Sequence, residues 1–225
     1  MTKLSKRLTC IASMVDDGAK LVDIGCDHGL LDIYLAKNKK NIDIVASDVK
    51  QSALDNAITN IRRAGLSNNI TTVLSDGLDS IDTTNLDTII ISGMGAHTMV
   101  GILYCNLSKL KRINTIIMQS NNDIDFLRKK ITSIGYYIED EELVKDKNII
   151  YTIIKFKKGH KFYNSKELYF GPILIRENSK LFQDKVKLEI KKLEIFLSLI
   201  PKGHFLYKYK TKRKLKMCKN VLKRA

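Results

Sequence analysis

Tryptophan is absent from this chain of 225 residues, and proline occurs only twice. Any large aromatic surface must come from tyrosine or phenylalanine, and the sequence singles out neither. Cysteine is scarce as well. Cys10, Cys26, Cys105 and Cys218 lie far apart with no C-x-x-C pair, which argues against a zinc site and a disulfide framework. Reduced thiols in a cytosolic protein are the expectation. No apolar run approaches the roughly 20 residues of a membrane span. The opening stretch MTKLSKRLTCIASMVDDG has a short apolar piece that runs into Asp16 and Asp17 without a cleavage-site pattern. It does not read as a signal peptide. Leu4, Leu8, Ile11 and Val15 share one face of an amphipathic helix instead. His97, His160 and His204 have no acid at metal-ligand spacing, so no metal is expected. There is no internal repeat and no low-complexity tract.

Charge of either sign is balanced over most of the chain. Residues 1–157 hold 20 Lys+Arg and 19 Asp+Glu, whereas residues 158–225 hold 19 and 5. Nearly all of the net +15 therefore sits in the last third. A lysine-rich genome bias would act on the whole chain, so the asymmetry points to an appendage that faces a polyanion. With no lipid anchor, nucleic acid is the expected partner rather than a membrane.

Strand-like and helix-like stretches alternate. Strands are expected at 21–25, 42–48, 70–76, 86–93 and 113–119, and helices at 28–38, 50–65, 96–106 and 123–135. Two strands follow without a helix, 136–146 and 149–157, joined by a Lys-Asn turn. Five β-α units plus a hairpin predict an α/β fold, a mainly parallel sheet with one antiparallel strand. Residues 1–158 are expected to form this domain and 159–225 a basic, coiled-coil-like helical one. Within the latter, 159–172 reads as a linker, 173–199 as one long helix, and about 206–224 as a second, making a helical hairpin.

The stretch LVDIGCDHG, residues 21–29, runs a buried strand into a glycine turn. A dinucleotide fingerprint needs a second glycine where this chain has Asp27, and a carboxylate there would repel a pyrophosphate. S-adenosylmethionine carries no phosphate, and its ammonium and sulfonium tolerate a nearby acid. Asp48, at the end of the second strand, is placed to accept ribose hydroxyls. Asp76, after the third, is placed to accept from an adenine amino group. Each of these acids could instead be a polar strand-end cap.

LSKRL, DIGCDHG, SDGL and SGMG, in this order and at these intervals and followed by a C-terminal helical pair, resemble the bacterial tRNA adenine-22 N1-methyltransferases. The resemblance covers nearly the whole chain, and D-I-G-x-D-H is its most specific part. It implies a class I methyltransferase (Rossmann-like) fold, S-adenosylmethionine as donor, and N1 of an adenine near the D-arm of tRNA as acceptor. It also implies that the helical hairpin helps to hold the tRNA. By position, Asp27 corresponds to the acid thought to act in the family's active site. The family tends to read G-M-G-G and Q-P-N where this chain has Gly93-Met94-Gly95-Ala96 and Gln119-Ser120-Asn121.

The expected site follows. Asp27 is catalytic, stabilising the charge that methylation puts on the adenine ring or accepting from N6; the alternative is that it binds the cofactor's ammonium. Asp23, Gly25, Cys26, His28, Asp48, Val49, Asp76, Gly77 and Gly93 are the cofactor set, with capping or packing as alternatives for His28. Lys6, Arg7, Met94 and Asn121 are the substrate set, with Ser5, Lys6 and Arg7 closing over the mouth of the site; the alternative for the basic pair Lys6 and Arg7 is a solvated helix face. A cytoplasmic monomer with tRNA as partner, no protein partner and no membrane contact is expected. Rival readings are a methyltransferase for another RNA, a protein or a small molecule, and an RNA-binding protein that has lost catalysis. A protein or small-molecule acceptor leaves the basic tail idle and predicts activity insensitive to salt, and the last reading predicts no cofactor binding.

Overall fold

Isoleucine-rich strands without a polar face build the centre of the first part of the chain. The structure, a computed structural model, describes residues 4–201 and 203–223. It divides into two units, Met1–Phe162 and Tyr163–Ala225.

In the first unit, β1 (Lys20–Ile24), β2 (Asp43–Asp48), β3 (Ile70–Leu74), β4 (Thr88–Met94), β5 (Thr115–Ser120), β6 (Tyr136–Asp146) and β7 (Ile149–Lys158) form one sheet. The order is β3-β2-β1-β4-β5-β7-β6. All pairings are parallel except those of β7, which runs antiparallel to both β5 and β6. This is the mainly parallel sheet with one antiparallel strand expected from the sequence. Ile89, Ile90, Ile91, Ile116 and Ile117 are fully buried, as strands covered on both faces must be.

The covering helices are α1 (Lys6–Ser13), α2 (Leu30–Asn38), α3 (Gln51–Arg63), α4 (Ala96–Cys105) and α5 (Ile124–Ser133). Ser5 starts α1 by accepting the Leu8 N–H at 3.3 Å, and Cys10, Ile11 and Ala12 are buried along it; Val15, expected on the same helical face, is buried beyond the helix end. One expected unit is incomplete. Residues 75–87, between β3 and β4, form turns and no helix, so four strands rather than five are followed by one. Lys109 Nζ reaches across to the carbonyls of Leu78 and Asp79 at 2.6 and 2.7 Å, which satisfies backbone that a helix would have paired internally. Strand order reverses between β1 and β4, so a cleft opens at the carboxyl ends of β1, β2 and β4.

The second unit holds α6 (Ser165–Phe170), α7 (Pro172–Glu177), α8 (Lys180–Leu199) and α9 (Phe205–Leu222). Two expectations are corrected here. The stretch 159–172 is not all linker. Asn164 accepts the N–H groups of Lys166 and Glu167 while Glu167 accepts the N–H of Asn164, a capping box that nucleates α6. Nor is 173–199 one helix. Asn178 takes a left-handed conformation at φ +46 and ends α7, and Ser179 caps α8 by accepting the Phe182 N–H. Helical periodicity runs through this break because a two-residue interruption barely disturbs the apolar spacing. α8 and α9 pack together as the expected hairpin, bridged by Lys219 and Glu194 at 2.7 Å.

Candidate active site

β1 delivers its last residues into a turn whose geometry explains its composition. Gly25 has φ +83 and Gly29 φ +66. Asp27 has φ +51, a left-handed conformation that Asp tolerates better than most non-glycine residues. The acid thus takes the backbone place a second glycine would fill. A Cβ on Gly29 would meet the Ala57 Cβ at 3.2 Å, so glycine there lets α2 lie close against α3. A Cβ on Gly25 would clash with the Met94 Cε and fill space between the β1 and β4 ends.

The turn is tied to β2. The N–H groups of Gly25 and Cys26 donate to the Ser47 carbonyl at 2.8 and 2.9 Å. The Asp27 N–H donates to Asp48 Oδ2 at 3.2 Å, and the Lys50 N–H to Asp48 Oδ1 at 2.9 Å. Two backbone donors therefore fix the Asp48 carboxylate, and its other lone pairs stay available to guest hydroxyls.

A pocket of about 350 Å³ opens here, within the size range of small-molecule sites. Of the residues expected from the sequence, Arg7, Asp23, Gly25, Cys26, Asp27, His28, Asp48, Gly93 and Met94 line it. Leu8, Leu30, Leu31 and Ser92 line it too and were not foreseen. Val49 is exposed beyond Asp48, and Asp76 is exposed on the β3–β4 loop. Gly77 is buried with its Cα face against Ile102, and Lys6 is exposed on α1; none of these four lines the pocket. Asn121 stands just outside, donating from Nδ2 to the Gly93 carbonyl at 2.8 Å. Its N–H donates to the Met94 carbonyl at 3.0 Å, and Gln119 Nε2 donates to its Oδ1 at 3.2 Å. Ser120 Oγ donates to the Asn122 carbonyl at 2.8 Å, so hydrogen bonds hold the loop after β5 in the absence of a proline.

Three carboxylates, Asp23, Asp27 and Asp48, line this pocket together with Arg7. Arg7 does not sit with Lys6 as a surface pair. Its Nη1 donates to Gln119 Oε1 at 2.6 Å, and its guanidinium carbon lies 5.7 Å from the centre of the Tyr151 ring. Asp23 is almost wholly buried and its Oδ1 has no hydrogen-bond partner. Burial, with Asp48 nearby, pushes its carboxyl up to about 7, against the opposing pull of Arg7. Asp32, fully buried on α2, has no partner for either oxygen, and burial together with the charge of Asp23 pushes it well above the usual carboxylate range. The Cys26 thiol is pushed up by burial and by Asp32, Asp23 and Asp48, so it is no thiolate nucleophile.

Asp27 is the open acid of the set, its side chain 73% exposed, with His28 Nε2 3.7 Å from its Oδ1. His28 is itself half exposed, and no side chain caps α2, whose N-cap is Gly29. In this structure the His28 side chain neither caps α2 nor is buried. The residue set fits a guest with an ammonium and sugar hydroxyls but no phosphate. A buried, partnerless carboxylate oxygen is suited to the first, and an anchored carboxylate to the second.

Residues 21–223 match the family TrmK, tRNA (adenine(22)-N(1))-methyltransferase. The tRNA (adenine(22)-N(1))-methyltransferase of Bacillus subtilis is 27% identical over 189 residues, covering 81% of this chain and 79% of its own length. A Streptococcus pneumoniae protein solved in complex with S-adenosyl-L-methionine is 31% identical with a TM-score of 0.90, over 98% of this chain and 100% of that one. M. capricolum TrmK, solved with S-adenosyl-homocysteine, is 26% identical with a TM-score of 0.87, over 98% of each chain. With the match spanning both units, this chain belongs to the tRNA (adenine(22)-N(1))-methyltransferase family.

Proposed function

We propose that this protein methylates N1 of adenine 22 in tRNA, with S-adenosyl-L-methionine as donor. The observation that carries the reading is the buried, partnerless Asp23 oxygen beside the anchored Asp48 carboxylate, in a chain of this family.

Asp23 takes the ammonium of the donor and Asp48 its ribose hydroxyls, while Gly25, Cys26 and Gly93 supply wall without bulk. Val49, Asp76 and Gly77 take the adenosine side. The Ser75 N–H donates to the Asp48 carbonyl at 3.0 Å, which keeps the start of that loop beside the end of β2. When bound, S-adenosylmethionine supplies a methyl carbon made electrophilic by its sulfonium. Adenine N1 has an in-plane lone pair and no proton to remove, so no general base is needed before attack. Methylation leaves the ring cationic. Asp27, open at the pocket mouth, stabilises that charge and accepts from N6, and His28 holds it in place. A buried Asp23 serves the ammonium better than an exposed Asp27, which leaves Asp27 for the substrate. Arg7, Met94 and Asn121 shape the substrate side, with Asn121 spending its amide on the Gly93 carbonyl rather than on a base.

The tRNA backbone is held by Lys6 and by the basic second unit. Lys210, Lys212, Arg213 and Lys216 on α9 line a broad cavity there. The enzyme works on tRNA as a monomer in the cytoplasm. Among the described residues no helix is long and apolar enough to cross a membrane.

The test is transfer of a labelled methyl to unmodified tRNA, with the product nucleoside identified by mass spectrometry. The expected product is 1-methyladenosine, lost when nucleotide 22 is guanine. Asp27→Asn is expected to keep cofactor affinity and lose turnover by about 100-fold, on the scale of one electrostatic transition-state partner. Lost cofactor affinity in that variant would move Asp27 to the ammonium.

A further inference from the structure

We infer that His97, seated on Phe126, is a stacking platform for an unstacked nucleobase of the tRNA, an inference that rests on the function proposed above. N1 lies on the pairing edge of adenine, so the target base must leave its pair and lose its stack before it reacts. The lining of the pocket contains no Phe or Tyr to replace that stack, and its one ring is the His28 imidazole, beside Asp27. The nearest aromatic in sequence after the β4 end is His97. It follows Met94 by three residues, so its Cα lies within about 11 Å of the Met94 Cα by chain reach alone.

The His97 ring lies 4.1 Å from the Phe126 ring with 23° between their planes. One face of the imidazole is thus covered. The side chain is nevertheless 71% exposed, which leaves the opposite face to solvent. Asp123 Oδ2, 3.9 Å from Nε2, holds the edge of the ring. Lys130 Nζ stands 5.8 Å from the centre of Phe126 and 5.5 Å from that of Tyr104. An open ring with a cation alongside is how single-stranded nucleic acid is held without sequence readout: the base stacks and the backbone meets the charge. The base is either the target adenine or its neighbour.

The test uses the full-length protein and tRNA carrying 2-aminopurine at nucleotide 22 or at an adjacent nucleotide. The complex with wild-type protein is expected to be darker than that with His97→Ala at one of these positions, which identifies the stacked base. On unmodified tRNA, His97→Ala is expected to lower kcat/KM roughly 10- to 100-fold, the scale of one lost base–aromatic stack, and His97→Phe to restore it. Calorimetric affinity for S-adenosylhomocysteine is expected to be equal in all three proteins. Equal fluorescence and turnover in His97→Ala would overturn the platform. So would weakened cofactor affinity at an unchanged melting temperature, because the ring would then serve the cofactor. Wild-type protein that binds cofactor yet methylates no tRNA would instead refute the underlying function.

Discussion

Acidification should release the cofactor, and the size of the effect follows from Asp23. Its carboxyl, pushed up to about 7, must be ionised to hold an ammonium. At pH 8 about 91% of it is ionised and at pH 6 about 9%, so affinity should weaken about tenfold, roughly 1.4 kcal/mol, between the two. The groups that face Asp23 set the midpoint. Arg7 from α1 lowers it and Asp48 from β2 raises it, while Asp32 from α2 is itself pushed up by burial and by the charge of Asp23. Arg7→Met should therefore move the midpoint to higher pH, and Asp23→Asn should weaken binding and flatten the profile. Calorimetric titration with S-adenosylhomocysteine from pH 5.5 to 8.5 reads all three. A wild-type affinity that is flat over this range, or better in acid, would refute the assignment of Asp23. Stability of the cofactor-free protein should run the other way. The folded state holds this proton more tightly than the unfolded chain, so the contribution of Asp23 is greatest below its ordinary value of 3.8 and is lost as pH rises towards about 7.

Asp32→Leu replaces two partnerless buried oxygens with a side chain of similar size. It should stabilise the protein by about 1–3 kcal/mol, seen as a melting point several degrees higher, with the larger gain at alkaline pH; a lower melting point would mean that Asp32 has a partner. Replacing exposed Lys212, Arg213 and Lys216 with alanine should weaken tRNA binding and reduce its log–log salt slope by up to about three, while cofactor affinity holds. Filter binding at several salt concentrations gives the slope, and an unchanged slope would remove α9 from the RNA contact.

The sequence by itself determined most of the scaffold and part of the site. Apolar runs such as Thr88–Met94 can only be strands covered on both faces, and the spacing of Gly25, Asp27 and Gly29 needs a left-handed turn at the end of one. An acid in place of the middle glycine already argued for a cationic guest, because charge chemistry at a turn is local. Local signals also marked the break at Asn178–Ser179, but they are weaker than the apolar period that runs through them. The tertiary structure alone decided what depends on distant partners. Arg7 meets Gln119 across 112 positions, turning an apparent surface cation into a wall of the pocket. Lys109 holds the β3–β4 loop through backbone carbonyls that no helix pairs. Asp32 was legible as an acid within LLDIYLA, yet only packing could leave both of its oxygens without a donor. Periodicity and turn chemistry act over a few residues. Burial and pairing act across the sheet, and they determine which side chains reach the site.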